Sequence, residues 1–220
     1  MKATPILTLD GSFTLTNNAF GECYHSTRGA VTEAKEVYVQ AGLDYYALLN
    51  PQTVPVRIFE MGFGAGLNAW VTHQYAQAQK VSVRYTAIEK YPLSLEEVAP
   101  LGHALDPSFG LLHQSPWEES VPVSDYFTLC KIQTDILHYV HDGKIDVLYF
   151  DPFSPNVQPD LWSAEVFANL YRCMSPGAVL VTYSAKGSVK QALRAVGFQV
   201  QRLQGSGGKR HMLRAVRPKV

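Results

Sequence analysis

Three carboxylates stand at the ends of apolar runs: Glu60 after "VRIF", Glu89 after "SVRYTAI" and Asp151 after "IDVLYF". Glu60 leads into Gly62, Gly64 and Gly66, which alternate with Phe63 and Ala65 in "FEMGFGAGLN". After a strand, glycines so spaced let the chain turn sharply and let a ligand lie against bare backbone. The N–H groups that open the next helix point at the same place. The spacing lacks the later glycine with which dinucleotide enzymes receive a pyrophosphate.

A pattern of acid and alternating glycines suits a ligand with an amino-acid end. Its carboxylate meets backbone N–H groups, while Glu60 helps to hold an ammonium or orders water around it. S-adenosylmethionine is such a ligand. Glu89 is placed to accept hydrogen bonds from both ribose hydroxyls. Asp135, after "YFTLCKIQT", either accepts from an adenine amino group or caps a helix over "ILHYVH".

Asp151 opens "DPFSP", and an Asp followed by Pro and an aromatic at a strand end suits methyl transfer to an amine. A primary amine attacking a sulfonium methyl must be neutral, close and in line with the C–S bond. It becomes positive as it attacks, so a fixed carboxylate stabilises the charge and orients the nitrogen. The prolines stiffen the loop, and Phe153 offers a ring to a flat base. A plain Asp-Pro turn is the simpler reading of the same residues.

These residues need a frame that brings strand ends together. From residue 56 strands and helices alternate: "VRIFEM", "LNAWVTHQYAQAQ", "SVRYTAIEK", "SLEEVAPLG", "YFTLCKIQTD", "IDVLYFD", "SAEVFANLYRCM", "GAVLVTYS" and "GSVKQALRAVG". Ser94 and Glu97 have the spacing of a capping box. Alternation of this kind predicts an α/β fold with a doubly wound, mostly parallel sheet. "FQVQRLQ" and "KRHMLRAV", joined by "GSGG", add a C-terminal antiparallel hairpin. Residues 1–55 stand outside the alternation, as a hairpin around Asp10-Gly11 and a helix over "AVTEAKEVYVQAGLDYYALL". They form a cap on the 56–220 domain.

With 46% hydrophobic and 17% charged residues among 220, the composition is that of a globular protein with one core. No apolar run is long enough for a membrane span. Cys23, Cys130 and Cys173 are too few and too scattered for a disulfide framework, and the start lacks signal-peptide features, so a cytoplasmic location is expected. His138 and His141 share a face of the expected helix without a third ligand, and no metal is expected. Net charge is zero, yet no acid follows Glu165, and the ten basic residues beyond it include Lys209, Arg210 and Arg214. Such a split suits a polyanionic partner whose phosphates these three side chains contact.

Taken together, "CYHSTRGAVTEAKEVYV", "FEMGFGAGLN", "IEKYPLS", "YFDPFSPNVQPDLWS", "GAVLVTYSAKGSVKQALRAVGF" and "GKRHML" resemble the MnmC-type tRNA methyltransferase domain in its stand-alone form, without a flavin oxidoreductase module. The resemblance implies the class I S-adenosylmethionine-dependent methyltransferase fold. It also implies methyl transfer to the aminomethyl group of a wobble 5-aminomethyl(-2-thio)uridine in tRNA. Cofactor contacts are implied at Glu60, Gly62, Gly64, Gly66, Glu89 and Asp135, with a catalytic role for Asp151. "QTD" stands where the family pattern has "GDA", a departure that bears on Asp135. Tyr24 and Ser26, around His25, serve either as a lid over the cofactor or as capping and packing residues. A separate enzyme must supply the aminomethyl-uridine. Aminopropyl transfer from decarboxylated S-adenosylmethionine, or a non-catalytic RNA-binding subunit of the same fold, are the alternatives.

Overall fold

The computed structural model describes residues 4–102, 105–208 and 211–219. The chain opens with a three-stranded antiparallel sheet of β1 (Thr4–Leu7), β2 (Phe13–Asn17) and β3 (Glu22–Cys23). Asp10 organises the first turn: its Oδ1 accepts from the Thr8 hydroxyl at 2.6 Å and the Ser12 hydroxyl at 2.5 Å. Its Oδ2 accepts from the backbone N–H of Thr32 at 2.9 Å, tying the turn to the helix that follows. That helix runs from α1 (Ala30–Glu33) through a π-wound middle (Ala34–Asp44) into α2 (Tyr45–Leu49).

Beyond it come β4 (Val56–Met61), α3 (Leu67–Gln79), β5 (Val83–Glu89), α4 (Leu95–Gly102), α5 (Ser108–Gln114), β6 (Ser120–Ser124) and β7 (Phe127–Gln133). The remainder is β8 (Ile145–Phe150), α6 (Ala164–Cys173), β9 (Met174–Thr182), α7 (Gly187–Val196), β10 (Gln199–Gln204) and β11 (His211–Val216). The main sheet has the order β10-β11-β9-β8-β4-β5-β7-β6. Its five central strands are parallel, while β11 runs antiparallel to β9, β10 to β11 and β6 to β7. Every residue of β8 is buried, as expected for a central strand covered on both faces.

Two cores sandwich the sheet. Val37, Tyr38 and Leu43 of the first long helix and Ala69 and Ala76 of α3 pack on one face against Tyr85, Val147 and Tyr149. Val166, Phe167 and Leu170 of α6 and Val189 and Leu193 of α7 cover the other, against Phe59, Leu148 and Leu180. The chain leaves β4 towards β5 and β7 on one side and returns to β8 and β9 on the other. The switch point of this doubly wound sheet therefore lies between β4 and β8, where ligands bind in such folds.

Three details depart from the sequence expectations. "ILHYVH" forms a turn and no helix: the Leu137 N–H bonds Asp135 Oδ1 at 3.0 Å, and Asp142-Gly143 follow before a second turn can form. His138 and His141 therefore share no helix face. Strand β6 was not expected, because "SVPVS" carries Pro122, which is tolerated here at the sheet edge. The short helix α5 and the two-residue strand β3 also carry too few residues to leave a periodic signal.

Candidate active site

The carboxyl ends of the parallel strands open on a cavity of about 670 Å³. Gly62 and Gly64 line its floor, while Gly66 sits behind them as the residue before α3. All three glycines have positive φ, at 91°, 49° and 73°, a region where L side chains are strained. Glu89, at the end of β5, braces the loop: its Oε2 accepts from the Gly64 N–H at 3.0 Å and its Oε1 from the Tyr91 N–H at 2.9 Å. A carboxylate keeps further lone pairs when each oxygen has taken one donor, so Glu89 can still receive hydroxyls on its cavity side.

Asp135 lines the cavity next to Thr134 and pairs with Lys90 Nζ at 2.9 Å. Burial works to raise its carboxyl, but the Lys90 ammonium and the Leu137 N–H outweigh it and hold the group below the usual range. The departure from "GDA" is thus accompanied by an ion pair that keeps Asp135 on the cavity wall.

Asp151 follows β8 directly. Its backbone N–H donates to Met61 O at 3.2 Å, joining the two strand ends at the switch point. Asn68, in the first turn of α3, donates from Nδ2 to Asp151 Oδ2 at 2.7 Å. The Tyr38 hydroxyl, on the long helix, adjoins the same carboxylate, and burial pushes that phenol well above its ordinary range. The "DPFSP" loop is fastened along its length. Tyr183 donates to Pro152 O at 2.9 Å, Trp162 Nε1 to Phe153 O at 2.9 Å, and the Phe153 N–H to Gln158 Oε1 at 2.9 Å.

The opposite wall comes from the N-terminal segment. Glu22 on β3 accepts from the Ser154 N–H at 3.0 Å and the Ser154 hydroxyl at 2.5 Å. The Phe20 and Tyr24 rings meet the Phe153 ring at centroid distances of 4.9 and 5.0 Å. Tyr24 and Ser26 both line the cavity, and the Ser26 N–H is held by Glu33 Oε2 at 2.8 Å. Burial, with Glu89 nearby, pushes the Tyr24 phenol up to about 12, so it is a neutral donor at physiological pH.

Most residues expected at the site therefore converge, with three exceptions among the described residues, the first being Gly66, which backs the loop without lining the cavity. Glu60 is fully buried beneath the loop and lines no part of the cavity. Arg214, on β11, lies 3.4 Å above the Tyr45 ring and donates to Gln201 Oε1, away from the cavity. Lys209 and Arg210 lie outside the described residues. Among the described residues, the Lys and Arg side chains at the cavity itself are Arg28 and Lys90, and Arg28 also donates to Gly208 O at 3.2 Å in the hairpin turn. Asn68, Glu22 and Tyr183 escaped the sequence reading. Asn68 alone had a local signal, as a polar residue that follows the glycine run directly at the start of the helix.

Bare backbone at Gly62 and Gly64, a carboxylate at the end of β5 and a tethered carboxylate at the end of β8 fit a nucleoside with an amino-acid end. Among the described residues no group of three or more His, Cys, Asp or Glu is placed to hold a metal ion, and no helix is long and apolar enough to cross a membrane.

Comparison with known proteins agrees with this geometry. Residues 118–218 match a family described as S-adenosyl-L-methionine-dependent methyltransferases. The tRNA 5-methylaminomethyl-2-thiouridine biosynthesis bifunctional protein MnmC of Azoarcus sp. (strain BH72) is 32% identical over 214 residues, covering 90% of this chain and 33% of that protein. The protein of the same name from Cupriavidus metallidurans is 34% identical, covering 96% of this chain and 33% of its own length. The chain thus spans about one third of the curated relatives it matches. Among solved structures, MnmC2 from Aquifex aeolicus superposes with a TM-score of 0.76 at 26% identity, covering 97% of this chain and 70% of that one. Spermidine synthase from Thermotoga maritima, at 13% identity and a TM-score of 0.58, shares the fold. By sequence and by architecture, the chain is similar to S-adenosyl-L-methionine-dependent methyltransferases, over residues 118–218, and to about one third of the bifunctional MnmC proteins.

Proposed function

We propose that this methyltransferase acts on the primary amine of an aminomethyl group at the 5-position of a wobble uridine in tRNA. The observation that carries the reading is Asp151, held by Asn68 at 2.7 Å at the switch point of the sheet, between the glycine loop and the Phe153 ring. When bound, S-adenosyl-L-methionine supplies an electrophilic methyl group. Gly62, Gly64 and Glu89 are the residues suited to hold it, with Asp135, Tyr24 and Ser26 on the surrounding walls.

Asp151 receives the amine, orients its lone pair and stabilises the positive charge that develops on nitrogen. Its fixed position supplies proximity rather than basicity, so the incoming ammonium gives up its proton to water before attack. Phe153, backed by Phe20 and Tyr24, offers a flat apolar face to the base. Such stacking places an unpaired nucleotide without demanding one base sequence. The names of the relatives support a tRNA substrate, as does the acid-free, basic stretch after Glu165.

In this reading residues 1–55 act as a cap and residues 56–220 as the catalytic unit. A different protein produces the aminomethyl-uridine, and the reaction takes place in the cytoplasm, where tRNA is modified. The aminopropyl-transfer alternative has only the shared fold in its favour. The deciding experiment is mass spectrometry of nucleosides from tRNA carrying 5-aminomethyl-uridine, after incubation with the protein and S-adenosyl-L-methionine. A gain of one methyl on that nucleoside is expected. An unchanged nucleoside would refute the assignment.

A further inference from the structure

Glu60 occupies a place that the chemistry above leaves unused. Its side chain is 1% exposed, below the glycine loop and under Asp151. Neither of its carboxyl oxygens makes a hydrogen bond of ordinary geometry among the described residues. The same holds for two polar atoms on its nearest polar neighbours, Asn68 Oδ1 and the Tyr85 hydroxyl. Asn68 is the residue whose Nδ2 donates to Asp151 at 2.7 Å.

An ionised carboxylate offers only acceptors, and an amide oxygen is an acceptor too. Buried side by side, an ionised Glu60 and Asn68 Oδ1 would repel, and each would stay unsatisfied. The amide would do better to turn its NH₂ towards Glu60, and it would then present its oxygen to Asp151. One proton removes the conflict. A neutral Glu60 has an O–H for Asn68 Oδ1 and a carbonyl oxygen for the Tyr85 hydroxyl. All the unsatisfied atoms of the three side chains then find partners in one chain, from Tyr85 through Glu60 and Asn68 to Asp151.

We propose that Glu60 is a neutral carboxylic acid that donates to Asn68 Oδ1 and thereby locks the amide with Nδ2 aimed at Asp151. It is a positioning residue for the carboxylate that receives the amine, and not a holder of the cofactor ammonium. The inference rests on the role given to Asp151. Burial, joined by the charges of Asp151 and Glu89, pushes the Glu60 carboxyl well above its ordinary range and outweighs the Asn68 and Tyr85 contacts, which act to lower it. The titratable groups that face it are Tyr85, Asp151, Glu89 and Tyr149, none of them a cation. Of the two acids flanking one amide, Glu60 is in this way the one kept neutral.

The test combines kinetics with spectroscopy on the full chain. Glu60→Leu should slow single-turnover methyl transfer by at least about tenfold, as expected when a preorganised charge loses its support. The conservative Glu60→Gln, which supplies both a donor and an acceptor, should recover the rate to within about threefold of wild type and leave the Kd for S-adenosyl-L-methionine unchanged. In the infrared spectrum at neutral pH, wild type should show a protonated-carboxyl C=O band that is missing from Glu60→Gln. Absence of that band in wild type would overturn the proposal. So would a loss of S-adenosyl-L-methionine affinity in Glu60→Gln, or its failure to fold, since the neutral isostere preserves every bond invoked. Asp151→Asn transferring at the wild-type rate would instead remove the role of Asp151 and leave the infrared result standing.

Discussion

A Cβ placed on Gly62 would lie 3.1 Å from the backbone carbonyl oxygen of Asp151, so the first glycine of the loop and the residue that follows β8 leave less room than a methyl group normally takes. Gly62 also has φ 91°, which an alanine adopts only under strain. Gly62→Ala should lower stability by about 1–3 kcal/mol and displace the Asp151 loop. Denaturant titration measures the first effect. The second should appear as a fall in methyl transfer larger than any change in the Kd for S-adenosyl-L-methionine.

Asp151→Asn is expected to separate binding from chemistry. Cofactor and tRNA should bind as before, while the single-turnover rate drops by roughly 10²-fold with loss of the fixed charge. Wild type should speed up with rising pH until the bound amine is neutral. Rapid-quench measurements across pH decide both points, and an unchanged rate in the variant would reduce Asp151 to a turn residue.

Acid should weaken the fold through His113. Its Nε2 lies 3.0 Å from Ala65 O, and burial, together with the Lys131 ammonium, lowers its pKa to about 4. Above pH 6.5 the imidazole is neutral whether the chain is folded or not. Between pH 6.5 and about 4 the unfolded chain takes up a proton that the folded protein refuses, so stability falls as pH falls. The full loss is on the order of 3 kcal/mol, at 1.36 kcal/mol per unit. Urea midpoints at pH 7 and pH 5 should differ in wild type and differ less in His113→Gln.

Salt should report how the protein holds phosphates. Lys186 at the start of α7 and Lys190 and Arg194 within it are spaced four residues apart, and Lys186 donates to Asn156 in the loop that follows Asp151. The logarithm of tRNA affinity should fall linearly with the logarithm of salt concentration. Replacing Lys190 and Arg194 by alanine should reduce the slope by about one for each phosphate that is no longer neutralised, with S-adenosyl-L-methionine affinity unchanged. An identical slope in the double variant would place the RNA on another face.

Much of this architecture was legible because its signals are local. The apolar runs of β4, β5, β8 and β9 mark central strands without reference to the rest of the chain, and the Ser94–Glu97 box forms as its spacing predicts. The glycines and the acids at strand ends likewise announce themselves. What was not legible depends on distance along the chain. Nothing near Asn68 states that a carboxylate 83 residues later will meet it, and Glu22 gives no hint of Ser154, 132 residues on. The burial of Glu60 was hidden for a related reason. A strand-end acid before a glycine loop reads as ligand-facing until the pleat turns it inwards, between Tyr85 and Asn68.

The pairing of Glu22 with Ser154 has a consequence for synthesis as well as for binding. The wall carrying Phe20, Glu22 and Tyr24 leaves the ribosome first, yet its docking surface on the "DPFSP" loop is 132 residues downstream. At ordinary elongation rates that interval is on the order of 10 s, longer than a short hairpin needs to form. For that time the Phe20 and Tyr24 rings have no Phe153 to cover them. The nascent chain therefore exposes an aromatic edge that a chaperone can hold, and the site closes only when the carboxyl end of β8 emerges.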